Sequence, residues 1–298
     1  MQDECMLETD DDGRRLFEAA RDLVWRGELD AAIRLFDRAL AATPSEELRE
    51  ELIVAKAEAL LSAHREGKEL DELPRIVVRH RTPRIVYRAA GTLMRRWLDA
   101  DPRKAIFYGE IARKAAREVG EPLAEASLLN NLGVVMTATS RFDEATAAFD
   151  EALVRLLRLP MDAAAARLRW IIVANLGGVK VASDDYESGV SLLLSSIPHL
   201  EADYDRVEAL LDLTLAYLQT ERYDEAERVG SSAFALATDR RQVRNANYVL
   251  GELRRRQRRW AEAGAYFDVV ASFFRDRDNV RRLLLNVDLT AVVNWKGC

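Results

Sequence analysis

Residues 27–44 read GELDAAIRLFDRALAATP, and the same frame returns as RFDEATAAFDEALVRLL at 141–157 and RYDEAERVGSSAFALATD at 222–239. With Ala32 as reference, Phe36 follows four residues on, Ala39 seven on and Pro44 twelve on, while Gly27 stands five before. Residues four and seven apart share a helical face, so Ala32, Phe36 and Ala39 form one apolar stripe. Pro44 cannot continue that helix, and Gly27 suits the tight turn that leads into it. A small-residue signature that keeps returning predicts stacked helical hairpins, an architecture that usually serves as a binding surface and rarely as a catalyst.

The frame extends backward onto a preceding helix. Leu132 and Gly133 stand thirteen and twelve residues before Ala145, which is followed by Phe149 and Ala152; Leu250 and Gly251 stand in the same places before Ala263 and Phe267. A fifth copy has Leu176 and Gly177 ahead of Gly189, and a sixth has Leu213, Tyr217, Ala226 and Ala233. A third, around Ala105 and Ala112, lacks the Leu-Gly pair, and a second, 46–81, is identified by position. Small residues at these places let two helices approach closely, as a stacked hairpin requires.

In these residues the chain resembles the tetratricopeptide repeat family, whose pattern sets Leu-Gly in a first helix (A) against Ala, Phe and Ala in a second (B) with a closing proline. The reference positions 32, 105, 145, 189, 226 and 263 give steps of 37 to 44, against the family's period of about 34. Extended repeats of this kind look like those of bacterial regulators and peptide sensors. The resemblance implies an all-α fold, an alpha-alpha superhelix (solenoid) of about seven antiparallel hairpins closed by a C-terminal capping helix. The copies are expected near 13–45, 46–81, 82–120, 121–160, 161–200, 201–238 and 239–277.

Composition agrees. Of 298 residues, 49% are hydrophobic but only 7% aromatic, too few aromatic and β-branched segments for a sandwich or barrel. Residues 1–12 are acidic without a basic side chain, which predicts a flexible tail leading into a helix capped at Asp11 or Asp12. At the other end 278–298 contains an amphipathic run, 279–295, expected as a capping helix, with dimerisation as its functional alternative. The link REGKELDELPRIVVRHRTPR, 65–84, holds two of the seven prolines and is the candidate break in an array otherwise expected to be continuous. No run approaches the eighteen apolar residues of a membrane span, and MQDECMLETDDDG has no signal-peptide regions. Cys5 and Cys298, at opposite ends, offer no disulfide framework and favour a cytoplasmic protein.

Catalytic parts are missing from the pattern. His64, His80 and His199 lie in different copies, none at metal-ligand spacing from another His or Cys. Gly177-Gly178 falls mid-helix, where close packing accounts for it, and Asp184-Asp185 falls in an interhelical turn. The chain is therefore expected to be no enzyme and to need no cofactor or metal.

The resemblance also implies a groove, lined by the second, fifth, sixth, ninth, twelfth and thirteenth positions of each A helix. In this chain these are Ser127, Asn130, Asn131, Val134 and Thr137, then Ile171, Ala174, Asn175, Gly178 and Val181. They continue as Glu208, Leu211, Asp212 and Leu215, then Asn245, Tyr248, Glu252, Arg255 and Arg256. Asn131 and Asn175, at the same position of successive copies, form a ladder able to hold an extended peptide backbone by donating and accepting together. Arg255 and Arg256 are read as holding an acidic end of that partner in a bidentate fork. Lysines that grip a terminal carboxylate in some family members have no counterpart here. Basic residues also cluster at Arg79, Arg81, Arg84 and Arg88 and in RRRQRRW, 254–260. A net charge of −6 and a pI near 5.4 oppose a nucleic-acid footprint. Three readings follow: a protein or peptide adaptor, a peptide- or ligand-responsive sensor that is a piece of a regulator, and, third, a nucleic-acid binder using the arginine faces. A homo-oligomer through the terminal helix is compatible with each.

Overall fold

The computed structural model describes residues 2–290 apart from 44, 80, 81, 99 and 161, with side chains described from residue 12 onward. Helices follow one another in pairs. They are α1 (Gln2–Trp25) and α2 (Leu29–Ala42), α3 (Glu46–Ser62) and α4 (Lys68–Arg79), α5 (Pro83–Trp97) and α6 (Pro102–Val119), and α7 (Pro122–Ala138) and α8 (Phe142–Leu156). Then come α9 (Ala163–Ala182) and α10 (Tyr186–Ser196), α11 (Asp203–Gln219) and α12 (Tyr223–Leu236), α13 (Arg240–Arg256) and α14 (Trp260–Ala271), and lastly α15 (Arg277–Asn286). No strand occurs among the described residues. The fold is all-α, of the helical-hairpin solenoid class.

Three boundaries differ from expectation. α1 begins at Gln2, inside the stretch read as an acidic tail, so Asp11 and Asp12 lie within the helix rather than at its cap. The 65–84 link is mostly α4, a helix with Pro74 inside it, so the second copy is a true hairpin. The terminal helix stops at Asn286, where Val287 turns to φ −125°, ψ 130°; residues 291–298 of the expected cap lie outside the described residues.

By compactness the chain divides into Met1–Asn131 and Leu132–Cys298, inside α7. In the first unit Phe36 is sealed with Phe17, Ala20, Ala32, Ala39 and Leu52, the two phenyl rings lying 6.1 Å apart. A neighbouring core joins Ile53, Leu70, Leu73, Ile85 and Leu93. Between these cores Lys56 of α3 is nearly enclosed, its Nζ donating to Asp37 at 2.6 Å and to the buried Glu69 of α4 at 2.7 Å. Burial alone would lower the Lys56 pKa, but its hydrogen bonds and attraction to Asp37 and Glu69 prevail and hold it above its ordinary 10.5.

In the second unit the recurring Leu-Gly pair has a plain physical reason. A Cβ on Gly133 would stand 2.6 Å from the Phe149 ring, and one on Gly251 would stand 2.6 Å from the Phe267 ring. A Cβ on Gly177 would meet Leu193 at 2.9 Å. Phe149 and Phe267, like Phe36 in the first unit, have no exposed surface. In these two hairpins the phenyl ring of the B helix is seated on the bare backbone of its A helix.

The turn joining the two helices also repeats. One residue is left-handed in six of the seven: Gly27 at φ 77°, then His64, Ser140, Asp184, Glu221 and Arg258 at φ 53° to 64°. The next amide donates back to the last turn of the A helix, as Arg222 does to Tyr217 at 2.8 Å and Arg259 to Arg254 at 2.8 Å. This is a Schellman closure. The arginine that follows the turn then pairs with the glutamate three residues on, Arg222 with Glu225 at 2.7 Å and Arg259 with Glu262 at 2.6 Å. That pairing accounts for the returning R-aromatic-x-E-A motif.

Three stability measurements check this architecture. Gly251→Ala is expected to cost about 1–3 kcal/mol in urea unfolding, because a rigid ring must shift; a cost under about 0.5 kcal/mol would mean the ring is not wedged there. Glu221→Gly should stabilise by up to about 1 kcal/mol by relieving a left-handed non-glycine backbone. Lys56→Met, which leaves Glu69 buried without its partner, should cost about 3 kcal/mol, and adding Glu69→Leu should recover much of it. Because the Lys56 pKa is raised, its contribution is complete below pH 10.5 and is lost as the pH climbs beyond. Urea midpoints of wild type and Lys56→Met should therefore converge at high pH.

Candidate functional site

Within each unit the A helices also touch one another: α1 meets α3 and α3 meets α5, while α9 meets α11 and α11 meets α13. They form the inner layer of each stack. The polar residues of that layer are the candidates for recognition, because the apolar ones are used in the hairpins themselves.

The expected groove residues are not equally available. Ser127, Asn131 and Asn175 are half-buried and Val134 is exposed, whereas Asn130, Gly178, Asp212, Leu215, Asn245 and Glu252 are buried. Reading these six as groove-facing surface is therefore corrected: the A helices are packed on more than one side, so alternate positions of the inner face turn into helix–helix contacts. Asn130 Nδ2 donates to Asn131 Oδ1 at 3.4 Å. Asn131 ends the first unit and Asn175 lies in the second, so the two are described separately.

On α11 and α13 the polar residues gather in two tiers. At the N-terminal ends, Arg241 donates to the Tyr204 hydroxyl at 2.6 Å and to Glu208 at 3.3 Å. Gln242 donates to the Tyr204 carbonyl at 3.0 Å and to Glu208 at 2.9 Å. Glu208 is thereby a cross-helix tie. Arg244 holds Asn245 through two donors, each at 3.1 Å.

The second tier lies at the C-terminal ends. Arg255 donates from Nε and Nη2 to Glu252 at 2.8 and 2.6 Å, and Arg256 Nε donates to the same carboxylate at 3.0 Å. Glu252 is 1% exposed. Arg256 also donates to the Leu218 carbonyl at 2.6 Å and the Gln219 side chain at 3.0 Å, satisfying the end of α11. Outward of this network lies Asp288, beyond α15. Its Oδ2 stands 3.1 Å from Nη2 of both Arg255 and Arg256. Its Oδ1 accepts from the Thr290 amide and hydroxyl at 3.0 and 2.5 Å. Both arginines do meet a carboxylate, as the sequence reading expects, but it belongs to this chain. Arg255 makes its fork with Glu252, whereas at Asp288 one oxygen bridges the two guanidinium groups.

Tyr248, one turn before Glu252, leans on Phe267 with ring centroids 6.5 Å apart. Its hydroxyl is buried and has no hydrogen-bond partner among the described residues. Burial, with the charges of Glu252 and Asp288, pushes its pKa well above the ordinary tyrosine value, so the group stays a protonated donor. An unpaired buried donor is costly, about 1–3 kcal/mol.

The basic cluster near residue 80 is partly neutralised. Arg79 and Arg84 are exposed, Arg81 lies outside the described residues, and Arg88 is held by Glu58 through two bonds of 3.1 and 2.6 Å. Nearby Arg96 pairs with Glu66 and Asp71 at 3.1 and 2.9 Å. In the 254–260 block Arg254 pairs with Glu227 at 2.6 Å. Among the described residues no group of three or more His, Cys, Asp or Glu is placed to hold a metal ion, and no helix is long and apolar enough to cross a membrane.

Sequence reasoning missed Asp288, Gln219, Tyr204, Arg241 and Gln242. The signal for Asp288 was present, since Asn286, Asp288 and Thr290 alternate residues that bond their own backbone in preference to a helix.

A model described as tetratricopeptide repeat matches residues 126–159, the α7–α8 hairpin that carries Gly133 and Phe149. No curated protein matches the chain by sequence. Among solved structures, the apo form of the quorum sensor NprR from B. thuringiensis is similar with TM-score 0.68 and 15% identity, over 92% of this chain and 86% of that one. NprR in complex with its cognate peptide NprX is similar with TM-score 0.63 and 14% identity, over 92% and 85%. A signal-transduction ATPase with a tetratricopeptide repeat sensor, PH0952 from Pyrococcus horikoshii, gives TM-score 0.67 and 16% identity, over 94% of this chain but 45% of that one. At such identities the likeness is one of fold.

Proposed function

We propose that this chain, which carries a tetratricopeptide repeat and has the fold of such arrays, binds an extended peptide segment with an acidic group along the inner face of its A helices. It acts as a binding and regulatory protein without turnover, and under this reading it works in the cytoplasm. The observation that carries the proposal is the α13 tier, where an unpartnered buried tyrosine hydroxyl stands beside two arginines. A ligand carbonyl or carboxylate there would accept from Tyr248 while its negative charge meets Arg255 and Arg256. The fold of NprR, whose structure with its cognate peptide is similar, supports the peptide class.

A sensor role is the second reading, favoured by the likeness to a quorum sensor and to an ATPase with a repeat sensor. It adds a conformational response to the same binding event. A nucleic-acid role is supported less, because Arg88, Arg96 and Arg254 are engaged by acids of the same chain.

The test is selection of a random heptapeptide library on the full chain, followed by affinity and thermal melts of point variants. Tyr248→Phe should leave stability unchanged within about 0.5 kcal/mol or raise it. It should weaken a selected peptide about fivefold, the worth of one hydrogen bond. Recovery of no peptide, or losses that track stability alone, would refute peptide binding on this face. Affinity for a mixed-sequence oligonucleotide that falls steeply with salt would transfer the function to nucleic acid.

A further inference from the structure

Arg255 and Arg256 are balanced by two carboxylates of unequal standing. Glu252 is rooted in α13 one turn away, 1% exposed, and bonded to both arginines. Asp288 has 38% of its side chain exposed, and its segment has left the helix. It is separated from Arg256 by 32 residues. The segment holds on locally through Leu289, packed beside Phe267 and Leu284, and through the Asp288–Thr290 turn. Thr290 also accepts from Arg256 at 2.9 Å.

Each of these features is what a bound acidic peptide would present. A carboxylate reaches both guanidinium groups, an adjacent hydroxyl takes a further donor, and an apolar side chain lies alongside. We propose that Asp288 is a resident occupant of the Arg255–Arg256 site, and that an incoming carboxylate binds by displacing it. The proposal rests on the reading of α13 as part of a peptide-binding face and adds its regulation. Charge balance explains the exchange. Glu252 neutralises one arginine from within, and the second charge is met by Asp288 or by the ligand. A tethered competitor acts at an effective concentration on the order of millimolar. A short ligand without a carboxylate in register therefore leaves the segment in place, and only a ligand that also engages the rest of the face displaces it.

The experiment uses the full chain and three N-acetylated, unlabelled pentapeptides, read by isothermal titration calorimetry. NVDLT with an amidated end, copied from 286–290, carries only a side-chain carboxylate. NVNLT with a free end carries only a terminal carboxylate, and amidated NVNLT carries neither. Asp288→Asn should tighten at least one of the first two by about three- to tenfold, the range for a partly exposed charge pair. The gain should vanish when Arg255→Gln and Arg256→Gln are added, and the third peptide should not respond. Which of the first two gains identifies the source of the carboxylate. No gain for either, an equal gain for the neutral control, or a gain that survives loss of both arginines overturns the proposal. Each such result leaves peptide binding elsewhere on the face to be judged by the library selection. Thr290→Ala, which removes the Asp288–Thr290 bond and one contact of Arg256 but keeps both arginines, should produce a smaller gain in the same direction, and serves if Asp288→Asn disturbs folding.

Discussion

The contact on which the rest depends is an aromatic ring laid on a glycine of the facing helix. Phe267 against Gly251, Phe149 against Gly133, and Leu193 against Gly177 allow the two helices of a hairpin to approach closer than any side chain would permit. Such a contact fixes register as well as distance, because in α7 and α13 only one residue lacks a Cβ. Once Gly251 is set toward α14, the helical period decides where the other α13 side chains go. Tyr248, Glu252 and Arg255 stand at intervals of four and three, so they share one face of that helix. The chemistry of the α13 tier is thus a consequence of where a glycine was needed.

Charge is organised by a similar economy. The chain has 44 basic and 50 acidic residues, and the structure pairs many across helices instead of displaying them. Lys56 ties α3 to α4 and also reaches Asp37 of α2, Arg88 ties α5 to α3, and Arg254 ties α13 to α12. A buried pair is poor evidence of net stability, since desolvation offsets its attraction. It does penalise a hairpin packed in the wrong register, where one charge would be left without a partner. Arginine-rich stretches in this sequence therefore mark helix–helix ties before they mark a ligand.

Most of the fold was legible because hairpins write their geometry at short range. Phe36, Phe149 and Phe267 are fully buried at the same place in their hairpins. Left-handed turn residues were legible only at Gly27, because His64, Ser140, Asp184, Glu221 and Arg258 adopt the same conformation without the residue type that announces it. For the site, periodicity located α13 and its arginines but not their partner. The run 279–295 has helical amphipathicity, yet Asp288 bonds the Thr290 amide and competes with helix continuation. Whether that local turn or the helix prevails depends on Arg255 and Arg256, which are close only after folding. Asp212 and Leu215 show a different limit, because a family position said to face a groove is buried here by neighbouring helices.

Two adjacent arginines on one helix end are an unfavourable arrangement unless something holds them, and the order in which their donors are used is informative. Arg255 uses Nε and Nη2 on Glu252, and Arg256 uses Nε on Glu252, Nη1 on the Leu218 carbonyl and Nη2 on the Gln219 side chain. These are inward commitments to fixed groups of α13 and α11. Nη2 of each residue is shared, since besides those bonds the two nitrogens each stand 3.1 Å from one oxygen of Asp288. The buried glutamate thus acts as a brace: it bonds both guanidinium groups and holds one nitrogen of each where a single outer oxygen reaches both. A site prepared in this way loses little side-chain freedom when an oxygen arrives, and preorganisation of that kind raises affinity without adding contacts. The outer position is met by a single negatively charged oxygen bridging two guanidinium groups, while the fork of two parallel bonds is kept for the inner carboxylate, Glu252, on Arg255.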